Sequence, residues 1–182
     1  MHIVHLQNIG KNGRIVIGNG RKEIFFLCLL HYNDTYKVNR QFTGGERKVE
    51  KLNIQTAELA LKEASESNPG AWVDHSRFVA EACKNIASHC KDLSSEQAYI
   101  FGLLHDIGRY AGVSSERHLI DGYRYCMERG WEKAAQICIS HAFMIQDIAT
   151  SIGVFDVSDE DYLFMKEFVA NAVYDDYDRL VQ

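Results

Sequence analysis

Proline is nearly absent from this 182-residue chain, with Pro69 standing alone. Proline removes a backbone donor and clashes with the preceding turn, so its scarcity leaves room for long helices. Net positive charge is also lacking. Twenty Lys and Arg against 25 Asp and Glu leave a formal charge of −5, which gives no electrostatic reason for strong nucleic-acid or membrane binding. An anionic substrate would need locally placed cations, from Arg, Lys or a metal. No apolar run is long enough to span a bilayer; the longest is Ile24 to Leu30. Polar, glycine-rich sequence precedes it, so it makes a poor signal peptide. The five cysteines, Cys28, Cys83, Cys90, Cys126 and Cys138, contain no CxxC pair and are odd in number. They read as reduced, small core hydrophobes in a cytoplasmic protein.

What is present is apolar content of 46%, enough for the core of one domain. The character of the chain changes near residue 50. Residues 1–50 form an N-terminal extension of unknown role, either a β-hairpin turning at GNGRKE, a disordered arm, or translated sequence upstream of a start near Val49. From residue 53 the pattern is helical. Helices are expected over 53–66, with Ile54, Leu59 and Leu61 as anchors, and over 72–91. The second carries the stripe Phe78, Val79, Ala82, Cys83, Ile86, Ala87 and Cys90. Ser94 to Gln97 is a capping-box signature opening a helix through about 109. Further helices are expected at 116–129, 131–143 and 159–180, the last N-capped at Ser158. The aromatics Tyr162, Phe164, Phe168, Tyr174 and Tyr177 read as core packing.

Eight histidines are present, and four fall where chemistry is plausible. His75 shares the inner face of its helix. His105 and Asp106 close the apolar run Tyr99 to Leu104, so this pair faces inward or borders a cleft. Burying a His–carboxylate pair costs several kcal/mol unless each group has a partner, and a metal ion is a sufficient partner. His118 lies in the first turn after the break at Gly112 to Ser115. His141 ends the run Ile137 to Ile139. Imidazole and carboxylate suit Fe, Mn, Co or Zn, and five such groups can hold one or two ions. His89 reads as a surface residue, and His2, His5 and His31 receive no role.

The segments HSRFV at 75–79, GLLHDIGR at 102–109, HLIDGY at 118–123 and ISHAF at 139–143 resemble, in order and spacing, the HD-domain superfamily of metal-dependent phosphohydrolases. The resemblance covers residues 53–182 and implies an all-α helical bundle. It implies metal ligation by His75, His105 and Asp106, with His118 and His141 matching the extra ligands of the two-metal branches. Asp106 would also orient the nucleophile, and Arg109 would stand near a substrate phosphate. The implied substrate is a small phosphate ester or anhydride, such as a nucleotide. The superfamily's final aspartate has no clear match. Either the chain stops short of it, or Asp175, Asp176 or Asp178 substitutes. The competing expectation is a non-catalytic HD-like signalling or binding module.

Overall fold

The computed structural model describes residues 51–182. The extension with its expected hairpin, Cys28, His2, His5 and His31 lies outside the described residues. Among the described residues there are seven α-helices, two short 3-10 turns and no strand. The helices are α1 (Ile54–Ser67), α2 (Trp72–Ala87), α3 (Ser95–Leu104), α4 (Arg117–Glu128), α5 (Glu132–Ser140), α6 (Asp159–Asn171) and α7 (Asp176–Val181). The all-α class expected from the periodicity is the class observed.

The core is organised around α3. Ala98, Ile100, Phe101, Gly102, Leu103 and Leu104 are all buried. A helix that is apolar on every side belongs in the interior, and α1, α2, α5 and α7 all pack on it. Ser94 accepts from the Gln97 backbone N–H and opens the helix as expected, but the return bond of a capping box is absent, because the Ser94 N–H donates to the Tyr177 hydroxyl at 2.8 Å. The continuation to 109 is not observed. The α-helix stops at Leu104, and after His105 and Asp106 a 3-10 turn runs from Ile107 to Ala111.

The stripe expected on α2 is partly turned outward. The core side is Ser76, Ala80, Cys83 and Ala87, whereas Phe78 is 74% exposed and Ile86 53%. The cause is a close helix crossing. A Cβ added at Gly102 of α3 would sit 2.8 Å from the Ala80 Cα. Only small residues fit between backbones that near, so the bulky apolar residues of α2 rotate away. On α1 the buried residues are Ala57, Ala60, Leu61 and Ala64, and Leu59 is half exposed.

The expected helix over 159–180 is two helices. Ala172 has an extended backbone, and Asp175 starts α7 by accepting from the Tyr177 and Asp178 N–H groups, while the Asp178 carboxylate accepts from the Asp175 N–H. The acidic run DDYD is therefore a reciprocal N-cap. Tyr123 packs on Phe164 and Phe168, and Tyr177 on Phe101, so the late aromatics do belong to the core. Cys83, Cys126 and Cys138 are free and buried, and Cys90 is free and exposed.

A second close approach fixes the site. Gly108 of the 3-10 turn lies against α4, where an added Cβ would be 2.0 Å from the His118 carbonyl oxygen and 2.3 Å from the Gly122 nitrogen. Both neighbours are backbone atoms and cannot rotate away. Gly108→Ala is therefore expected to cost about 3 kcal/mol through overpacking, seen as a lowered thermal midpoint. An unchanged midpoint would contradict the tight seating of this turn.

Candidate metal centre

Four histidines and one aspartate converge where helices end. His75 is on the first turns of α2. His105 caps the C-terminus of α3, and Asp106 precedes the 3-10 turn. His118 is the second residue of α4, and His141 caps the C-terminus of α5. Side chains at helix ends project beyond the packed ridges, so four helices can aim polar groups at one point without breaking the core. The ligand atoms of His75, His105 and Asp106 lie within 4.8 Å of one another, and so do those of Asp106, His118 and His141. Asp106 is common to both groups.

Backbone carbonyls orient the rings. His105 Nδ1 lies 2.7 Å from the Gly102 oxygen, His118 Nδ1 2.5 Å from the Ser115 oxygen, and His141 Nδ1 3.1 Å from the Ile137 oxygen. A carbonyl can only accept, so in each neutral ring Nδ1 carries the proton and Nε2 presents a lone pair. These lone pairs face the carboxylate. His118 Nε2 is 3.2 Å and His141 Nε2 3.7 Å from Asp106 Oδ1, while His105 Nε2 is 3.7 Å from Oδ2. The side chain of Asp106 is 5% exposed, and its Oδ1 is buried without a hydrogen-bond partner. Acceptors converging on a buried, orphaned carboxylate oxygen are what a divalent cation satisfies, and ring nitrogens held by second hydrogen bonds are the usual support for such a site. The residues thus fit a divalent transition-metal ion and could hold one.

The electrostatics agree. Burial pushes the His141 imidazole down to about 3, helped by the neighbouring His105 ring. Burial likewise lowers His105. Burial alone would raise the Asp106 carboxyl, but the surrounding imidazoles, His118 foremost, outweigh it and hold the carboxyl below its ordinary range. Burial thus favours the neutral form of His105 and His141 beside the Asp106 carboxylate, the form in which these groups can ligate a metal.

Arg109 reaches the same carboxylate. Its Nε donates to Asp106 Oδ2 at 2.9 Å, and its Nη2 lies 3.4 Å from His118 Nε2. Asn68 at the end of α1 donates to the Arg109 carbonyl at 2.6 Å and fixes that turn. Asp156 is a supporting residue that sequence reasoning missed. It accepts from the Ser115 and Arg117 N–H groups, at 3.0 and 2.8 Å, and so caps the helix that carries His118. Nothing in the sequence near Asp156 marks it, because the contact spans about forty residues. His89 is exposed and bonds only its own helix end.

None of the three late aspartates joins either ligand group. Asp178 is fully buried but committed elsewhere, to Lys133 at 2.5 Å, Ser140 at 2.6 Å and Gln136 at 2.8 Å. Asp175 caps α7 and meets Lys133 at 2.8 Å, and Asp176 lies in the first turn of α7 beside the shallow groove at Cys90 and Leu93. Of the two alternatives for the final aspartate, substitution by one of these three is not observed; Asp175 and Asp178 form instead a clamp that ties α7 to α5.

A helical bundle with His and Asp side chains gathered at its helix ends is the architecture of HD-like domains. The model of the HDOD domain family matches residues 45–144, which include all five convergent residues and Arg109, and the chain belongs to that family. HDOD domains are HD-like but distinct from the HD metal-dependent phosphohydrolases that the motifs resemble. Comparison with curated proteins and with solved structures gave no match. Among the described residues no helix is long and apolar enough to cross a membrane.

The low pKa of His141 has a consequence for stability. The unfolded chain protonates this histidine as pH falls through its ordinary value of 6.5, but the folded protein resists until about 3. Stability present above pH 6.5 is therefore lost on acidification through that window. The metal-free protein should show a falling thermal midpoint between pH 7.5 and 5, and His141→Gln should shrink the fall; a flat profile would contradict the burial of a neutral ring. Separately, Asp178→Ala leaves Lys133 without its buried partner and should cost about 3 kcal/mol, with metal affinity unchanged by equilibrium dialysis. A loss of metal with intact folding would return Asp178 to the site.

Proposed function

We propose that this chain is a metal-dependent phosphohydrolase of the HD-like type, acting on a phosphate ester or anhydride such as a nucleotide. His75, His105, Asp106, His118 and His141 would hold one or two ions of Fe, Mn, Co or Zn. The observation that carries the proposal is the buried Asp106 Oδ1, faced by two imidazole lone pairs and supplied with no protein donor. When bound, such an ion polarises a phosphoryl oxygen and eases the deprotonation of water.

The protein's own residues supply the rest. Asp106 offers one oxygen to each half of the centre and is placed to orient the attacking water. Arg109 is 30% exposed beyond its contact with Asp106, so its guanidinium can face an incoming anion. A planar, permanently charged fork suits a phosphate and would stabilise charge that develops on the transferred group. The carbonyls of Gly102, Ser115 and Ile137 hold the rings, so little reorganisation accompanies binding.

A second reading is favoured by the family itself. HDOD domains are often signalling modules without catalysis, and Asp178 serves packing rather than the centre. In that case the centre would bind a metal or a nucleotide as a structural or sensing element.

The discriminating assay uses purified protein loaded anaerobically with Mn or Co, tested on generic phosphodiesters and dinucleoside polyphosphates. Hydrolysis is expected, falling about 100-fold or more in Asp106→Asn and about 100-fold in Arg109→Ala. Fully loaded protein that turns over none of these substrates would sink the hydrolase reading in favour of the second one.

A further inference from the structure

The two halves of the centre differ in how far the protein already satisfies them. On the Oδ2 side the carboxylate oxygen already has a donor. Arg109 Nε donates to Asp106 Oδ2 at 2.9 Å. His105 Nε2 lies 3.2 Å from His75 Nε2, and because the Gly102 carbonyl holds the His105 proton on Nδ1, His75 supplies the hydrogen between them. On the Oδ1 side the carboxylate oxygen has no donor. It faces His118 Nε2 at 3.2 Å and His141 Nε2 at 3.7 Å, and both rings have spent their Nδ1 protons on carbonyls. The Arg109 Nη2 contact with His118, at 3.4 Å, is too long to be a strong bond.

We propose that the centre takes a single divalent ion, between Asp106 Oδ1, His118 and His141, and that Arg109 closes the His75–His105 half by acting as a fixed second positive charge. This rests on the metal-dependent reading above. The guanidinium stays charged at all accessible pH. A second dication at Oδ2 would have to displace it from a carboxylate oxygen 2.9 Å away, and would meet its repulsion at close range. A phosphate bound at such a centre would lie between one metal ion and one guanidinium, rather than between two metal ions about 3.5–4 Å apart. Arg109 then sets the number of ions as well as contacting the anion.

The test measures Mn2+ stoichiometry by equilibrium dialysis with elemental analysis, together with the electron paramagnetic resonance of the bound ion, on the full chain without substrate. One equivalent with an uncoupled mononuclear spectrum is expected. His141→Ala should lose that equivalent and His75→Ala should keep it. Arg109→Leu should take two equivalents and show the spectrum of a spin-coupled pair. Should Arg109→Leu fail to fold, Arg109→Gln removes the charge while keeping an amide donor and should also gain the second ion. Two equivalents of similar affinity in the unmodified protein would overturn the proposal, as would loss of the ion in His75→Ala or no gain in either Arg109 variant. A one-ion protein that hydrolyses nothing would defeat the hydrolase reading and leave this inference standing. A two-ion protein that hydrolyses would do the reverse, and a protein that takes no ion would defeat both.

Discussion

The structure around the candidate centre depends on one constraint: a carboxylate taken out of water must be given cations or donors. Asp106 is almost wholly buried, and moving an unpaired carboxylate into such surroundings costs several kcal/mol. The protein supplies one strong donor, Arg109, to one oxygen and leaves the other facing imidazole nitrogens. That imbalance is one that a bound cation would correct. A satisfied buried network would have a proton for every pair of acceptors, and this one is short at Oδ1.

The fold serves that constraint by ending helices at one point. Gly102 lets α2 and α3 approach closely enough to bring His75 beside His105. Gly108 lets the 3-10 turn lie on the backbone of α4, which brings His118 to Asp106. The switch from α to 3-10 geometry after Leu104 leaves the Asp106 side chain free of capping duty, so both oxygens point into the cluster. Asp178 has the opposite fate. Its carboxylate is saturated by Lys133, Gln136 and Ser140, and it joins α7 to α5 without contributing to the centre.

Much of this was legible in the sequence because the relevant signals are local. Buried helix α3 announced itself as a run of apolar residues, and the His105-Asp106 pair stood at its end. His75 and His141 stood out as polar residues on apolar stretches and His118 as a histidine in the first turn after a break, and the structure brings all of them together with Arg109. What escaped depends on distant partners. The outward turn of Phe78 and Ile86 follows from how near α3 comes to α2, which hydrophobic periodicity does not encode. The break between α6 and α7 lay in DDYD, whose acidic character hid a capping box. Asp156 supports the helix of His118 from a loop about forty residues on. The motifs point to the HD superfamily at large, whereas membership of the HDOD family came from comparison across residues 45–144.

The central claim is that the side chains gathered at Asp106 form a cation site built from imidazole and carboxylate. X-ray absorption at the zinc edge of zinc-loaded protein tests it most directly. The account predicts a shell of nitrogen and oxygen at about 2.0–2.1 Å, with the outer-shell scattering of imidazole rings, lost in His141→Ala. A shell of oxygen alone, or imidazole scattering that persists in that variant, would contradict it.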